Sequence, residues 1–280
     1  MNVGVGLPTT TPGADRELLL EWARRAEDGP FSTLAVLDRV AYDSYEPFTA
    51  LSAAAAVTEK TRLATMVAIG PLRTSGMLAK LAGSLAALCG NRLTLGLAVG
   101  ARVDDFEAAG TQTRGRGHRL SEQLAFLRSD WEGSPIGPAA ADRKGLELLV
   151  GGGAGAAFAR MARYADGYAH GGGPPRAFAR AAAAARAAWS DMGRPGEPRL
   201  WGQGYFALGD EERGGDYLRD YYAFTGPFAE KIAAANLTSA RAIKDFIRGY
   251  EDEGCDELIL LPTVSDIGQL DRLAEVLASR

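Results

Sequence analysis

Short apolar runs and amphipathic helical segments follow one another along this sequence eight times, and that alternation constrains its fold more than any single motif. Asn2 to Leu7 reads as a first strand, ended by Pro8. Asp15 to Asp28 reads as a helix with Leu18, Leu19, Trp22, Ala23 and Ala26 on one face. Asp15 suits that helix start, where a negative charge meets the positive end of the helix dipole. The pattern continues with a strand at Thr33 to Leu37, a polar loop from Asp38 to Glu46 and a helix from Pro47 to about Val57. Strand Arg62 to Ile69 precedes helix Ser75 to Leu88. Strand Leu93 to Val99 precedes a long loop and a helix from about Arg119 to Trp131. A fifth strand covers Leu146 to Val150, a sixth surrounds Tyr168, and a helix carrying Phe178, Ala182, Ala185 and Trp189 comes next. Leu200 to Leu208 and Glu257 to Leu261 complete the strands. Two helices lie between them over roughly Glu211 to Glu253, and a last helix starts near Asp266.

Eight strands, each followed by a helix, is the count for an α/β fold of the closed (β/α)8 TIM type. An open doubly wound sheet uses the same elements, in a strand order that one sequence does not reveal. The 280 residues show no composition break or long linker, so residues 1–280 read as one domain. A net charge of −4 with scattered basic residues argues against a nucleic-acid surface. No apolar run approaches the ~20 residues of a membrane span, and no charged-then-apolar leader stands at Met1, so a cytoplasmic location is expected. Cys89 and Cys255 are the only cysteines and support neither a disulfide framework nor a metal site. Asp104 and Asp105 read as a solvated loop pair, without the further ligands that a metal needs.

In a barrel, functional groups gather at the C-terminal strand ends. The richest of these is LELLVGGGAGAAFARMARYADGYAHGGG, residues 146–173, where a glycine loop joins an apolar strand to a helix beginning near Ala156. Glycines Gly151 to Gly155 allow close approach of backbone N–H groups to an anion, and the helix N-terminus adds positive charge. Gly171 to Gly173 follow the next strand, so two strand ends can grip one phosphate. The spacing is not G-x-G-x-x-G, and two ordinary tight turns would leave the same trace. His170, beside the second cluster, is placed either to contact phosphate and move protons near neutral pH or to cap a turn. His118, between arginines at a helix start, reads as solvated. Trp201, Gln203 and Tyr205 alternate along one strand and share a face, which the polar Gln203 assigns to the lumen.

Together these segments resemble the bacterial-luciferase-like family of flavin and deazaflavin enzymes. The resemblance is strongest from Tyr42 to Gly110, including EPFTALSAAAAVTEKTRLATMVAIGPLRTSG, and continues in RGRGHRLSEQLAFLRSDWEG and ARYADGYAH. It implies a TIM-type barrel and, in many such proteins, homodimers paired through the second and third helices. It also implies a luciferase-like monooxygenase that uses O2 and reduced FMN (FMNH2), the latter supplied by a separate flavin reductase, on a small organic substrate. The alternatives are hydride transfer with the deazaflavin coenzyme F-420 and a flavin-binding protein without turnover. The resemblance puts the flavin phosphate on Gly151, Gly152 and Gly153 and on the backbone around Asp166 and Gly167. It makes Met66-Val67 a non-proline cis peptide supporting the flavin ring. Pro8, Asp38, Arg73 and Gly100 complete the cofactor set, with Arg73 reaching for ring or phosphate.

Arg39 stands where deazaflavin-using relatives carry a histidine. It is assigned to stabilising an anionic flavin, or to a salt bridge with Asp38. Glu46 is the carboxylate candidate for proton transfer, or a charge on the helix that Pro47 opens. Tyr42, Tyr45 and Gln203 are the substrate contacts. The sequence departs from the family at Gly29-Pro30-Phe31-Ser32, and its connection from Trp131 to Leu146 lacks the insertion that covers the site in larger relatives. The barrel is therefore one with reduced insertions.

Overall fold

A computed structural model describes residues 1–131 and 134–279, the side chain of Asp130 excepted. Its eight strands are β1 (Asn2–Gly6), β2 (Thr33–Val36), β3 (Arg62–Ile69), β4 (Leu93–Ala98), β5 (Glu147–Gly151), β6 (Gly167–Ala169), β7 (Arg199–Phe206) and β8 (Glu257–Pro262). All pair in parallel in chain order, and β1 pairs with both β2 and β8, which closes the barrel. The choice left open by the sequence is thus settled for the (β/α)8 barrel over the open sheet. Eleven helices surround it among the described residues: α1 (Arg16–Asp28), α2 (Pro47–Ala55), α3 (Ser75–Leu88), α4 (Val103–Ala108), α5 (Arg116–Ala125), α6 (Gly155–Tyr164), α7 (Pro175–Asp191), α8 (Glu211–Tyr221), α9 (Phe228–Ala234), α10 (Ala240–Asp252) and α11 (Gly268–Ala278). No described helix is long and apolar enough to cross a membrane.

The period-2 alternation of each strand divides the core in two. Leu34, Leu63, Leu95, Leu148 and Leu258 face outward and pack under the helices. Ala35, Ala64, Met66, Leu149, Trp201, Tyr205 and Ile259 fill the lumen. The shared face of β7 is therefore the luminal one. The helix ends follow local chemistry. Asp15 Oδ1 accepts the Leu18 N–H at 2.8 Å as the cap of α1, and Pro47 occupies the first turn of α2.

Three stretches differ from the sequence expectation. The loop after β4 contains α4, whose first turn carries Asp104 and Asp105. The next helix starts at Arg116 rather than Arg119, because Gly115 at φ +73° makes the turn that launches it, and it ends in a π-helical turn over Phe126–Asp130. Residues 211–253 form three helices, not two, since Gly226 (φ +59°) and Pro227 break the run after a 3-10 turn at Ala223–Thr225. In the connection after Trp131, Glu132 and Gly133 lie outside the described residues.

The Met66-Val67 peptide bond is cis, as the resemblance implied, and sits where the β3/β4 register shifts between Thr65 and Ala68. Gly96 on β4 makes room for this segment. A Cβ there would lie 2.3 Å from the Thr65 carbonyl oxygen and 2.9 Å from Val67 Cγ1. We expect Gly96→Ala to lower the urea midpoint by the equivalent of about 1–3 kcal/mol. Gly76→Ala on α3, whose Cβ would meet nothing nearer than 3.6 Å, should be neutral or stabilising.

Candidate active site

A cavity of about 320 Å3 opens at the C-terminal ends of β3, β5, β6 and β7. This volume lies within the ~300–1,000 Å3 typical of small-molecule sites. Met66 and Val67 form one wall, Gly151–Gly153 and His170–Gly172 another, and Gln203 reaches in from β7. Gly152 (φ +133°) and Gly172 (φ +96°) have backbone conformations that disfavour side chains, and a Cβ at Gly153 or Gly171 would point into open space. The Tyr168 hydroxyl donates to the Gly152 carbonyl at 2.8 Å and fixes the loop. Burial pushes that phenol up to about 12, so it stays protonated as a donor.

Helices α6 and α7 start at this cavity. Their N-caps, Ala154 and Pro174, make no side-chain hydrogen bond, and neither first turn carries an acid. Helices α1, α2, α3 and α10 are instead capped by Asp15, Glu46, Thr74 and Ser239. Two helix N-termini thus keep their positive ends available to an anion. Both ring nitrogens of His170 are buried without a hydrogen-bond partner, as is Gln203 Oε1, while Gln203 Nε2 donates to Gly171 O at 3.2 Å. Buried polar atoms are normally paired, so these three mark where a polar ligand fits. Burial among Tyr168, Phe178 and Tyr250 lowers the His170 pKa below the usual 6.5, and the ring is neutral at pH 7, one nitrogen donating and one accepting.

The charged candidates lie on the other side of the mouth, and tertiary contacts reassign most of them. Asp38 Oδ2 accepts from Ile69 N at 2.8 Å and pairs with Arg73 at 2.7 Å. Arg73 also pairs with Glu46 at 3.0 Å, and Glu46 Oε2 accepts the Thr49 N–H at 2.7 Å. Glu46 is therefore a helix cap held by an arginine, and Arg73 is already neutralised. Arg39 does not pair with Asp38. Its Nε donates to both oxygens of Asp105 (2.8 and 3.1 Å) and its Nη2 to Asp104 at 3.0 Å. Asp105 is fully buried and also accepts from Val40 N and Ala41 N at 2.8 Å, so the expectation of a solvated pair holds only for the half-exposed Asp104.

Other residues leave the cavity. Asp166 and Gly167 stand at the opposite end of the three-residue β6. There Asp166 accepts from Leu148 N and Arg128, and a Cβ on Gly167 would lie 2.1 Å from Arg199 O, so they do not extend the glycine loop of the cavity. Gly100 (φ +77°) allows close packing of Ile69 and Phe106, and Pro8 accepts from Thr11 Oγ1 at 2.9 Å. Neither lines the cavity. His118 is 79% exposed, as its sequence context implied, and its Nε2 lies 3.1 Å from Glu122 Oε1. Tyr45 borders a separate polar cleft of about 200 Å3 with Thr9 and Ser44.

Tyr42 joins an aromatic group that the sequence reading missed. Its hydroxyl donates to Asp220 at 2.7 Å and its ring meets Tyr221 edge-on at 5.2 Å. Tyr205 and Tyr222 share a 2.7 Å hydroxyl contact, and Tyr217 bonds Thr10 at 2.6 Å. The i, i+4, i+5 spacing of Tyr217, Tyr221 and Tyr222 was the available signal. It says only that one helix face is aromatic, and the fold decides that this face covers the mouth.

A family model described as luciferase-like monooxygenase matches residues 1–256. A protein of Mycobacterium tuberculosis described as uncharacterized is 34% identical over 189 residues, covering 55% of this chain and 65% of its own length. This chain therefore spans just under two thirds of that relative. Among solved structures, an F420-dependent secondary alcohol dehydrogenase in complex with an F420-acetone adduct superposes with a TM-score of 0.80 at 15% identity, over 99% of this chain and 98% of that one. The monooxygenase RslO1 from Streptomyces bottropensis gives 0.75 at 20% identity, over 100% and 98%. The oxygenating constituent of 3,6-diketocamphane monooxygenase from Pseudomonas putida, in complex with FMN, gives 0.75 at 13%, over 99% and 96%.

Two outcomes follow from this geometry. Asp105→Asn removes the buried partner of Arg39 and leaves it only the half-exposed Asp104, which should cost up to about 3–5 kcal/mol in chemical denaturation. For His170, whose folded-state pKa lies below its unfolded value, the unfolded chain binds the proton more readily. Stability should therefore fall as pH drops below about 6.5, and His170→Phe should flatten that part of the stability–pH curve between pH 7.5 and 5.

Proposed function

The chain belongs to the luciferase-like monooxygenase family, and from that membership we propose that it is a flavin-dependent monooxygenase, using reduced FMN and O2 to oxygenate a small organic substrate. The observation that carries this reading is the convergence on one cavity of two glycine loops, two uncapped helix N-termini and the unpartnered polar atoms of His170 and Gln203. The residues present fit a flavin. Gly151–Gly153 and the start of α6 would hold the phosphate, His170 and Gln203 would bond the polar chain next to it, and the Met66-Val67 segment would support the ring. When bound, the reduced flavin supplies the electrons and the site of oxygen activation.

This chain's own residues have the simpler tasks. The α6 and α7 N-termini attract the dianion, and the absence of acids in their first turns avoids repulsion. Neutral His170 donates or accepts one hydrogen bond without adding charge, because burial lowers its pKa. Tyr205, Tyr221 and Tyr222 cover the lumen and limit water at the mouth, which favours electrostatic interactions there. Use of the deazaflavin coenzyme F-420 is the second reading, since the same loop would take its phosphate. Arg39 weighs against it, because a permanently charged side chain locked to Asp105 stands where deazaflavin-using relatives carry a titratable histidine. A separate reductase would supply the reduced flavin, since the sequence shows no nicotinamide fingerprint. We further read the protein as cytoplasmic, and as a homodimer through α2 and α3, where Met77 and Leu88 are 55% and 67% exposed.

The decisive experiment is an anaerobic titration with reduced FMN and with the reduced deazaflavin, followed by oxygen uptake. Tighter binding of FMNH2 and flavin-dependent oxygen consumption are expected. Preference for the deazaflavin, with no oxygen consumption, would replace this function with hydride transfer. Gly152→Val should weaken FMN at least about tenfold while leaving riboflavin nearly unchanged, because it obstructs backbone approach to phosphate alone. Equal weakening of both would place the phosphate elsewhere.

A further inference from the structure

Three arginines stand around the barrel mouth at the ends of β2, β3 and β4, and two are neutralised. Arg39 is held by Asp105 and Asp104, and Arg73 by Asp38 and Glu46. Arg102, in the loop after β4, has no hydrogen-bond or ion-pair partner among the described residues. It is held instead by rings. Its guanidinium carbon lies 4.4 Å from the ring centre of Tyr221, 4.2 Å from that of Phe224 and 5.7 Å from that of Tyr222. Such contacts occupy the faces of a guanidinium and leave its in-plane N–H donors unused. The side chain is half-buried, so those donors rely on water that a ligand can displace.

A guanidinium fixed this way is organised for a planar, two-oxygen acceptor, the geometry that arginine meets in carboxylates. The surroundings select what carries that acceptor. Tyr42 and Tyr222 are partly exposed around the buried Tyr221, and Phe224 is 52% exposed at the same place. The positive charge of Arg102 is felt by Tyr42, Tyr221 and Tyr222 alike, which places it among all three. The phosphate loop is elsewhere, at the ends of β5 and β6, whereas Arg102 leans toward the segment after α8.

We propose that Arg102 anchors the ionised oxyanion of the substrate, and that the substrate class is an aromatic acid whose ring lies against Tyr222 and Phe224. The inference rests on the oxygenase reading above for calling the ligand a substrate, but the anion site stands on its own geometry. The neutral isostere of such an acid loses the charge-assisted pair and keeps only the ring contacts.

The test is calorimetric titration of the whole protein with 2-naphthoate and with neutral 2-naphthamide, in wild type, Arg102→Gln and Arg102→Lys, alongside FMN and riboflavin. Wild type should bind the naphthoate at least about tenfold tighter than the amide, with a preference that shrinks as salt rises. Arg102→Gln should bring the two ligands level, Arg102→Lys should keep part of the preference, and neither should alter the ratio of FMN to riboflavin affinity. Equal binding of acid and amide by wild type overturns the proposal, as does a preference that survives in Arg102→Gln. Loss of FMN affinity with the naphthoate preference intact would make Arg102 a phosphate ligand and equally overturn it. Should Arg102→Gln fail to fold by circular dichroism, a full wild-type preference in Arg102→Lys counts against the planar fork and a reduced one supports it. Failure of wild type to bind any flavin, with the naphthoate preference retained, would sink the oxygenase reading and leave the anion anchor standing.

Discussion

Closure of the parallel sheet, with β1 hydrogen-bonded to β8 on one side and β2 on the other, is the constraint on which everything at the mouth depends. Once the ring is closed, each strand has one luminal and one helix-facing side, and all eight strand ends open at one rim. Residues far apart in sequence are then held side by side. Gly151 and His170 meet across β5 and β6, Gln203 joins them from β7, and Met66 and Val67 from β3. An open sheet would leave two edges and separate the first strand from the last.

The rim divides by charge. On the β5–β6 side the helices start without acids and the cavity contains only neutral polar groups, an arrangement suited to a ligand that brings its own negative charge. Toward β2–β4, carboxylates and arginines neutralise each other in two buried or half-buried networks, Asp38–Arg73–Glu46 and Arg39–Asp105. A buried pair of this kind is costly to break and contributes modestly to stability when whole, so its value here lies in fixing the loop after β2. Asp105 does this directly, accepting two backbone N–H groups of that loop as well as Arg39.

Much of the rim was legible in the sequence, for local reasons. Glycine clusters after strands announce close backbone approach, and His170 stands beside one of them in the sequence itself. What escaped was every assignment that needed a partner distant in sequence. Asp104 and Asp105 look alike as neighbours in a polar loop, yet only Asp105 turns inward, toward an arginine 66 residues earlier. Asp166 and Gly167 sit in the family-like ARYADGYAH stretch, but a three-residue strand leaves them at the wrong end of the barrel. Arg73 and Glu46 each looked available for chemistry until the fold set one against the other.

Sequence alone determined the elements: eight apolar runs buried on both faces, amphipathic helices between them, a capping aspartate at Asp15, a proline at the start of α2 and the glycine loop after β5. These are properties of residues a few positions apart, governed by backbone geometry and local hydrogen bonding. Tertiary structure decided that the sheet closes, which charges are neutralised, and that Tyr221 at the end of α8 packs against Arg102. Those outcomes depend on through-space distances between strand ends, and Coulomb and packing energies fall off too steeply with distance for sequence separation to stand in for them.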